Sequence, residues 1–356
     1  MNRNYGIDLL RIICMYMIVV LHLLGSADIV EYLPLCSLEY EVVWLVEMLA
    51  FYAVNCYALI SGYVYVNKKR EFTGIIMLWF QVLFYSVFLT IVFFIYAPDR
   101  MDIRILVSSF FPVMTDQYWY FTAYVLLYLI MPILYIGIEK LSKEELKRIL
   151  VIGFILFSII PMFTEKDVFA TLDGYSALWL SYLFVLGAYI KKYNALSKVS
   201  TKKILIIFGM CVMGTMGLKF FIEYVSWNYL EVLTINTSFT KYTSPNVVLE
   251  AMIMLVLFLR MNIGEKYEKL IKKVAPLSFG VYLIHTHKLI LEEFLFGQLA
   301  WFSQFSIVGM VVRILLTAFG IFVVCLFIDS IRLKIFAICN IRLLAEKINR
   351  KINKMI

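Results

Sequence analysis

Apolar runs of membrane-crossing length, each closed by a short charged block, recur along the whole of this 356-residue chain. A run of about 20 apolar residues, coiled at roughly 1.5 Å per residue, matches the hydrocarbon thickness of a bilayer. No water reaches the peptide groups there, so each run must satisfy its own backbone by coiling into a helix. The pattern predicts an all-α, polytopic integral membrane protein. About ten transmembrane helices are expected by length and hydropathy, over residues 7–24, 42–66, 74–96, 118–138, 149–163, 177–190, 203–221, 245–259, 276–296 and 307–328. Hydrophobic residues make up 63% of the chain and charged residues 16%, which excludes an ordinary soluble domain.

The charges set the expected orientation. Most of the 33 Lys and Arg fall in alternate connections: Arg3 and Arg11; Lys68, Lys69 and Arg70; Lys140 to Arg148; Lys191 to Lys203; Arg260 to Lys273; and Arg332 to Lys354. The other connections hold Arg100, Arg104, Lys166, Lys219 and Lys241 among many acids. Positive charge stays on the cytoplasmic side, so both termini are expected inside. The net charge of +8 is thus topology, and no nucleic-acid partner is expected. The six cysteines have neither metal nor disulfide spacing and read as packing residues, so no metal site is expected. Residues 1–330 form the expected transmembrane domain. Residues 331–356 form a basic cytoplasmic tail, in shape an interfacial amphipathic helix. The first apolar run is long for a signal peptide, and the reading retains it.

Within the first helix, one polar stripe stands out. Eleven residues separate Arg11 from His22, and at about 100° per residue that step returns to within roughly 20° of the same face. Asp8 shares the face. His22 then lies about 16 Å deeper than Arg11. An ionisable residue inside a membrane helix marks a functional site by default, against the plainer reading of a hydrogen-bonded strut. Asp8 is too far from His22 to touch it and is expected to hold Arg11.

Depth ranks the other buried polar residues. Glu47, one to two turns below the outer surface, matches His22 and is the expected partner of the imidazole. Asn55 lies on nearly the same face, with a helix–helix hydrogen bond as its plainer role. Ser278, Tyr282 and His285 share a stripe of the ninth span, the weakest by hydropathy, for which a re-entrant segment is the alternative. Arg313 is expected to pair with Glu292 or Glu293, and Lys288 with Glu292 along the helix. Gln81 and Glu250 have no evident partner. The fourth span opens on Tyr118, Trp119 and Tyr120, and Tyr120, Tyr124 and Tyr128 carry rings inward toward a cavity near Pro132. Rings in the long connection 222–244, Tyr242 among them, are either interfacial belt residues or a sugar-contact surface.

The order of these signals resembles the acyltransferase-3 family of polytopic membrane acyltransferases. The matching pieces are Ile7-Asp8-Leu9-Leu10-Arg11 with His22, Ser61-Gly62-Tyr63, Gln117-Tyr118-Trp119-Tyr120-Phe121, and Ser278-Phe279-Gly280-Val281-Tyr282-Leu283-Ile284-His285. The last resembles the branch found in bacterial surface-polysaccharide loci. The resemblance implies transfer of an acyl group, usually acetyl from cytoplasmic acetyl-CoA, to a hydroxyl of a surface glycan or its lipid-linked precursor. It also implies a bacterial cytoplasmic-membrane location. Under it, His22 is the general base, Glu47 tunes it, and Asn55 or Tyr120 stabilises the oxyanion. Arg11 (held by Asp8) with Lys68, Lys69 and Arg70 would meet the coenzyme A phosphates. Tyr118, Trp119, Tyr120, Tyr124, Tyr282 and His285 would line the acceptor side. Many members carry two arginines three apart after the second span, where this chain has Lys68-Lys69-Arg70. No esterase-like domain is seen after the membrane core, so transfer is expected to finish within it. A lipid-linked-sugar flippase is the leading rival, although no repeated halves are visible.

Overall fold

The computed structural model describes residues 3–66, 71–164, 167–229 and 239–355. Lys68, Lys69 and Arg70, expected at the donor site, lie outside the described residues. The helices in chain order are α1 Tyr5–Ser26, α2 Leu38–Tyr65, α3 Thr73–Tyr96, α4 Ile103–Ser109, α5 Trp119–Lys140, α6 Lys143–Phe154 and α7 Ala177–Lys192. They continue with α8 Thr201–Tyr229, α9 Pro245–Leu259, α10 Glu265–Val274, α11 Ser278–His285, α12 Lys288–Phe294, α13 Ile307–Ile338 and α14 Ile341–Met355. No strand occurs among the described residues. The protein is an all-α, multi-pass membrane protein.

Helical segments occupy all ten expected places, but they are unequal. Among the described residues, six helices (α1, α2, α3, α5, α8 and α13) are each long and apolar enough to cross a bilayer. The ninth is broken: the run Glu265–His285 meets α12 at a bend of 68°. That break follows from its sequence, because Thr286, His287 and Lys288 interrupt the apolar face just where α11 stops. The carbonyls at the break take side-chain donors. Tyr118 Oη donates to Leu283 O at 3.0 Å, and Thr286 Oγ1 to Tyr282 O at 2.7 Å. Helices α7 and α9 are shorter, with 16 and 15 residues, and both pack on α2 near the centre of the bundle.

The core is built on α1 and α2, which bury 61% and 67% of their most apolar windows; α8 and α13 bury 22% and face outward. Two glycines explain why α2 and α7 pack so closely. A Cβ on Gly62 would collide with the Phe184 carbonyl, and one on Gly187 with the Leu59 carbonyl. The two backbones therefore touch reciprocally, the small-residue contact that membrane helices use in place of a hydrophobic driving force.

Contacts gather the basic connections at one end of the bundle. Lys272 lies over the Tyr5 ring, Lys191 over Tyr63, Arg260 donates to Leu196 O, and Lys192 to Ile138 O. The tail helix α14 reaches the same end, where Asn349 accepts from the Phe72 amide at 3.1 Å. Helix α13 runs unbroken through position 330 to Ile338.

At the opposite end, α8 meets α2 through charge. Lys219 and Glu223 are fully buried and pair at 2.6 Å, with Glu41 a further 3.8 Å from the ammonium. The rings of Tyr40 and Trp44 flank Lys219 Nζ at 4.5 and 4.6 Å. Cys36 also lies beside the two carboxylates, but the cation they face is this ammonium.

One expected pairing is not formed. Arg313 does not pair with Glu292 or Glu293; its guanidinium stacks 3.5 Å from the Phe305 ring centroid and donates to Gly309 O. Glu293 instead meets Arg100 at 2.5 Å, because the bend turns α12 toward the connection after α3. Gln81, for which the sequence offered no evident partner, donates to Asp329 at 3.2 Å. The Lys288–Glu292 pair forms as expected, at 3.8 Å.

Candidate active site

Helix α1 positions the first functional groups. Its N-cap Asn4 accepts from the Ile7 amide, and Asp8 sits buried in the first turn. Arg11 reaches the Asp8 carboxylate at 3.0 Å, and Arg3 approaches its second oxygen at 2.5 Å. The Arg11 side chain stays one-third exposed. It is held but still open to a ligand at the basic end. Tyr57 of α2 donates to the Arg11 carbonyl at 2.7 Å, tying the two central helices together.

One to three turns further, the same face of α1 lines a cleft. Met15, Ile18 and His22 form one wall; Val54 and Tyr57 of α2, Trp119 and Tyr120 of α5, Tyr242, and Phe279 and Tyr282 of α11 form the rest. The open space is about 40 Å³, room for a few water molecules. A wider groove of about 760 Å³ lies between α6, α7, α8 and α9, but its lining is almost all apolar and brings no histidine or carboxylate together. The small cleft is where the chemistry-bearing groups converge.

His22 has a partner that depth alone did not identify. Its Nδ1 lies 3.0 Å from His285 Nε2, with ring centroids 5.1 Å apart. His285 Nδ1 lies in turn 2.6 Å from the Val281 carbonyl, one turn back in α11. The expected Glu47–His22 contact is not formed. Glu47 lies instead within electrostatic reach of Lys219 and Tyr242. Depth along a helix does not fix rotation about it.

Asn55 takes its plainer role. It is fully buried, its amide donates to the Tyr242 carbonyl at 2.8 Å, and its oxygen accepts from Trp179 Nε1 at 3.0 Å. That amide holds the Tyr242 segment over the cleft and lies outside the cleft lining. Tyr120 is different: it lines the cleft, and its hydroxyl is buried without a hydrogen-bond partner. Its backbone amide, one of the uncapped donors at the start of α5, gives its proton to Tyr282 Oη at 3.3 Å. Tyr118 packs behind, 5.9 Å from the Tyr282 ring and 6.3 Å from that of His287. Tyr124 lies against Ser61, outside the cleft lining.

Above the cleft the rings form a mouth. Trp119 stacks on Tyr242 at 5.9 Å and 20°, and Tyr175 touches both, at 4.4 and 5.1 Å. Beside them Lys241 pairs with Asp173 at 3.0 Å. The expectation of ring contacts in the connection 222–244 thus falls on Tyr242, while Tyr224, Trp227 and Tyr229 are exposed. Tyr57 and Tyr175 had not been singled out. Tyr57 follows Arg11's carbonyl rather than any motif, and Tyr175 sits in a short connection without a pattern of its own.

The bundle's central helix carries a cation at one end and a histidine further along the same face, beside aromatic walls, and this cleft is the candidate active site. The family is shown by sequence: residues 4–330, nearly the whole chain, match the model of the acyltransferase domain. The chain belongs to the acyltransferase-3 family and is a membrane acyltransferase. No curated protein and no solved structure matches it.

Proposed function

We propose that this acyltransferase moves an acetyl group from cytoplasmic acetyl-CoA to a hydroxyl of a bacterial surface polysaccharide or its lipid-linked precursor. The observation that carries the reading is the single face of α1 that joins partly exposed Arg11 to cleft-lining His22. Coenzyme A brings several phosphate charges to the basic end, where Arg11 meets them by charge-assisted hydrogen bonds. Lys68, Lys69 and Arg70 would add charge there. The pantetheine arm then extends along the α1 face and delivers the thioester to His22. The acceptor enters from the aromatic mouth, since Trp119, Tyr175 and Tyr242 offer flat apolar faces of the kind on which a sugar ring packs.

In the transfer step, His22 accepts the proton of the sugar hydroxyl as that oxygen attacks the thioester carbonyl carbon. A carbon–oxygen bond forms, and the carbonyl oxygen gains negative charge. The unpaired Tyr120 hydroxyl lines the same cleft and is the group to donate to that oxygen. As the carbon–sulfur bond breaks, the proton on His22 passes to the departing sulfur, leaving free coenzyme A and the ester. Donor and acceptor approach from opposite ends, so no free acetate crosses the membrane.

The test is NMR of the surface polysaccharide from cells with and without this protein. Loss of an O-acetyl signal over an unchanged sugar backbone is the expected result. Loss of the whole polymer would instead assign a flippase or polymerase. In isolated membranes, a folded His22→Ala protein that still transferred acetyl at the full rate would remove His22 from the scheme.

A further inference from the structure

We infer that His285 is a positioning residue, which fixes the tautomer of His22 so that the nitrogen left as a base is Nε2, the one available to the cleft. The inference rests on the acyl-transfer reading of this site.

The argument follows the hydrogen-bond chain from its far end. The Val281 carbonyl is only an acceptor, so His285 Nδ1, 2.6 Å away, must carry a proton and donate it. In a neutral imidazole the other nitrogen is then a lone pair. His285 Nε2 is therefore an acceptor, and the atom facing it at 3.0 Å, His22 Nδ1, must be the donor. For two neutral rings only one assignment remains: His22 is protonated on Nδ1, and its Nε2 holds the lone pair. The Ile18 carbonyl, one turn back, is a further acceptor beside the His22 ring. His22 lines the cleft and His285 does not, so the two imidazoles divide the work.

This division resembles the way a carboxylate orients a catalytic imidazole, but without a fixed negative charge. When Nε2 takes the hydroxyl proton, the charge on the His22 ring is shared through Nδ1–H with His285 Nε2. The proton count is unchanged by the sharing, because the proton that entered at Nε2 leaves from Nε2 to sulfur. Helix α11 supplies the rigidity. The bond from His285 to Val281 lies within one turn of that helix, and Tyr118 Oη holds the adjacent Leu283 carbonyl at 3.0 Å.

Two measurements test it. The first needs no variant: nitrogen NMR of protein carrying labelled histidine, which has only three such residues. His22 signals, assigned by their loss in His22→Ala, should show a pyrrole-type Nδ1 and a pyridine-type Nε2; the opposite pattern overturns the inference. The second compares His285→Leu with His285→Gln in membranes, after thermal unfolding has shown that each is folded. The leucine variant should lose roughly a hundredfold or more in kcat with little change in KM for either substrate. The glutamine variant, whose amide oxygen can again accept from Nδ1–H, should recover a substantial part. Unchanged kcat in His285→Leu, or a loss confined to KM, would overturn the role. If His22→Ala itself kept full activity, the acyl-transfer scheme would fail first, and independently of His285.

Discussion

The Asp329 carboxylate fills the space that a side chain at Gly280 would need. Arg332 grips both carboxylate oxygens, at 2.9 and 2.7 Å, and Tyr85 Oη donates to one of them at 2.8 Å. The absent side chain of Gly280 thus lets α11 settle on a buried charge network, five residues before His285.

Gly280→Ala is expected to push α11 off that network and to destabilise the protein by about 1–3 kcal/mol, the usual range for overpacking. Thermal unfolding in detergent should show it, together with reduced transfer through a displaced His285. Gly209→Ala, where the added methyl meets open space, should leave both unchanged.

Arg11→Ala should weaken acyl-CoA binding. Losing a charge-assisted hydrogen bond is worth roughly 1.5–3 kcal/mol, so KM for the donor should rise by about tenfold to a hundredfold. The change in kcat should be smaller. Arg11→Lys should recover only part, since a point charge does not reproduce the guanidinium fork. A donor titration in membranes separates these outcomes, and a selective rise in acceptor KM would count against the assignment.

Tyr120→Phe removes a hydroxyl that makes no hydrogen bond in the resting protein. Stability should therefore hold, whereas kcat should fall by roughly a hundredfold if that hydroxyl meets the oxyanion. Equal kcat values in the two proteins would assign the oxyanion to another donor.

Asn55→Leu should leave Trp179 Nε1 and the Tyr242 carbonyl without their partners. The expected cost is about 1–3 kcal/mol for each group left unsatisfied. Because Tyr242 is part of the aromatic mouth, acceptor KM should rise more than donor KM. Initial rates at varied acceptor concentration check the second point, and thermal unfolding the first.

What could be read from the chain was whatever repeats along a helix. The Arg11–His22 stripe follows from helical period alone, and Met15 and Ile18 on the same face line the cleft as that period requires. The Lys288–Glu292 pair is local in the same sense. Pairings between helices were harder. His22 and His285 stand 263 residues apart, and hydropathy gives each a depth but neither a rotation nor a neighbour. Glu47, matched to His22 by depth, has Lys219 as its charged neighbour. Arg313 and Glu293 were matched by depth as well, and the bend after His285 carried Glu293 to Arg100 instead. Asp329 drew no notice in the sequence, yet it is the hub of a buried network within α13, which runs to Ile338.

The charge cluster of Lys219, Glu223 and Glu41 bears on how the bundle assembles. Helix α8 is otherwise apolar and looks largely outward, so van der Waals packing alone would let it slide along its neighbours. Lys219 and Glu223 can enter the bilayer already paired along their own helix, which spares much of the roughly 2.5–3.5 kcal/mol that each lone charge would cost at a helix centre. Glu41 and the rings of Tyr40 and Trp44 then offer that pair only one berth. A shift of α8 by one turn would take that pair away from Glu41 and from both rings, so the cluster favours the register in which this helix docks.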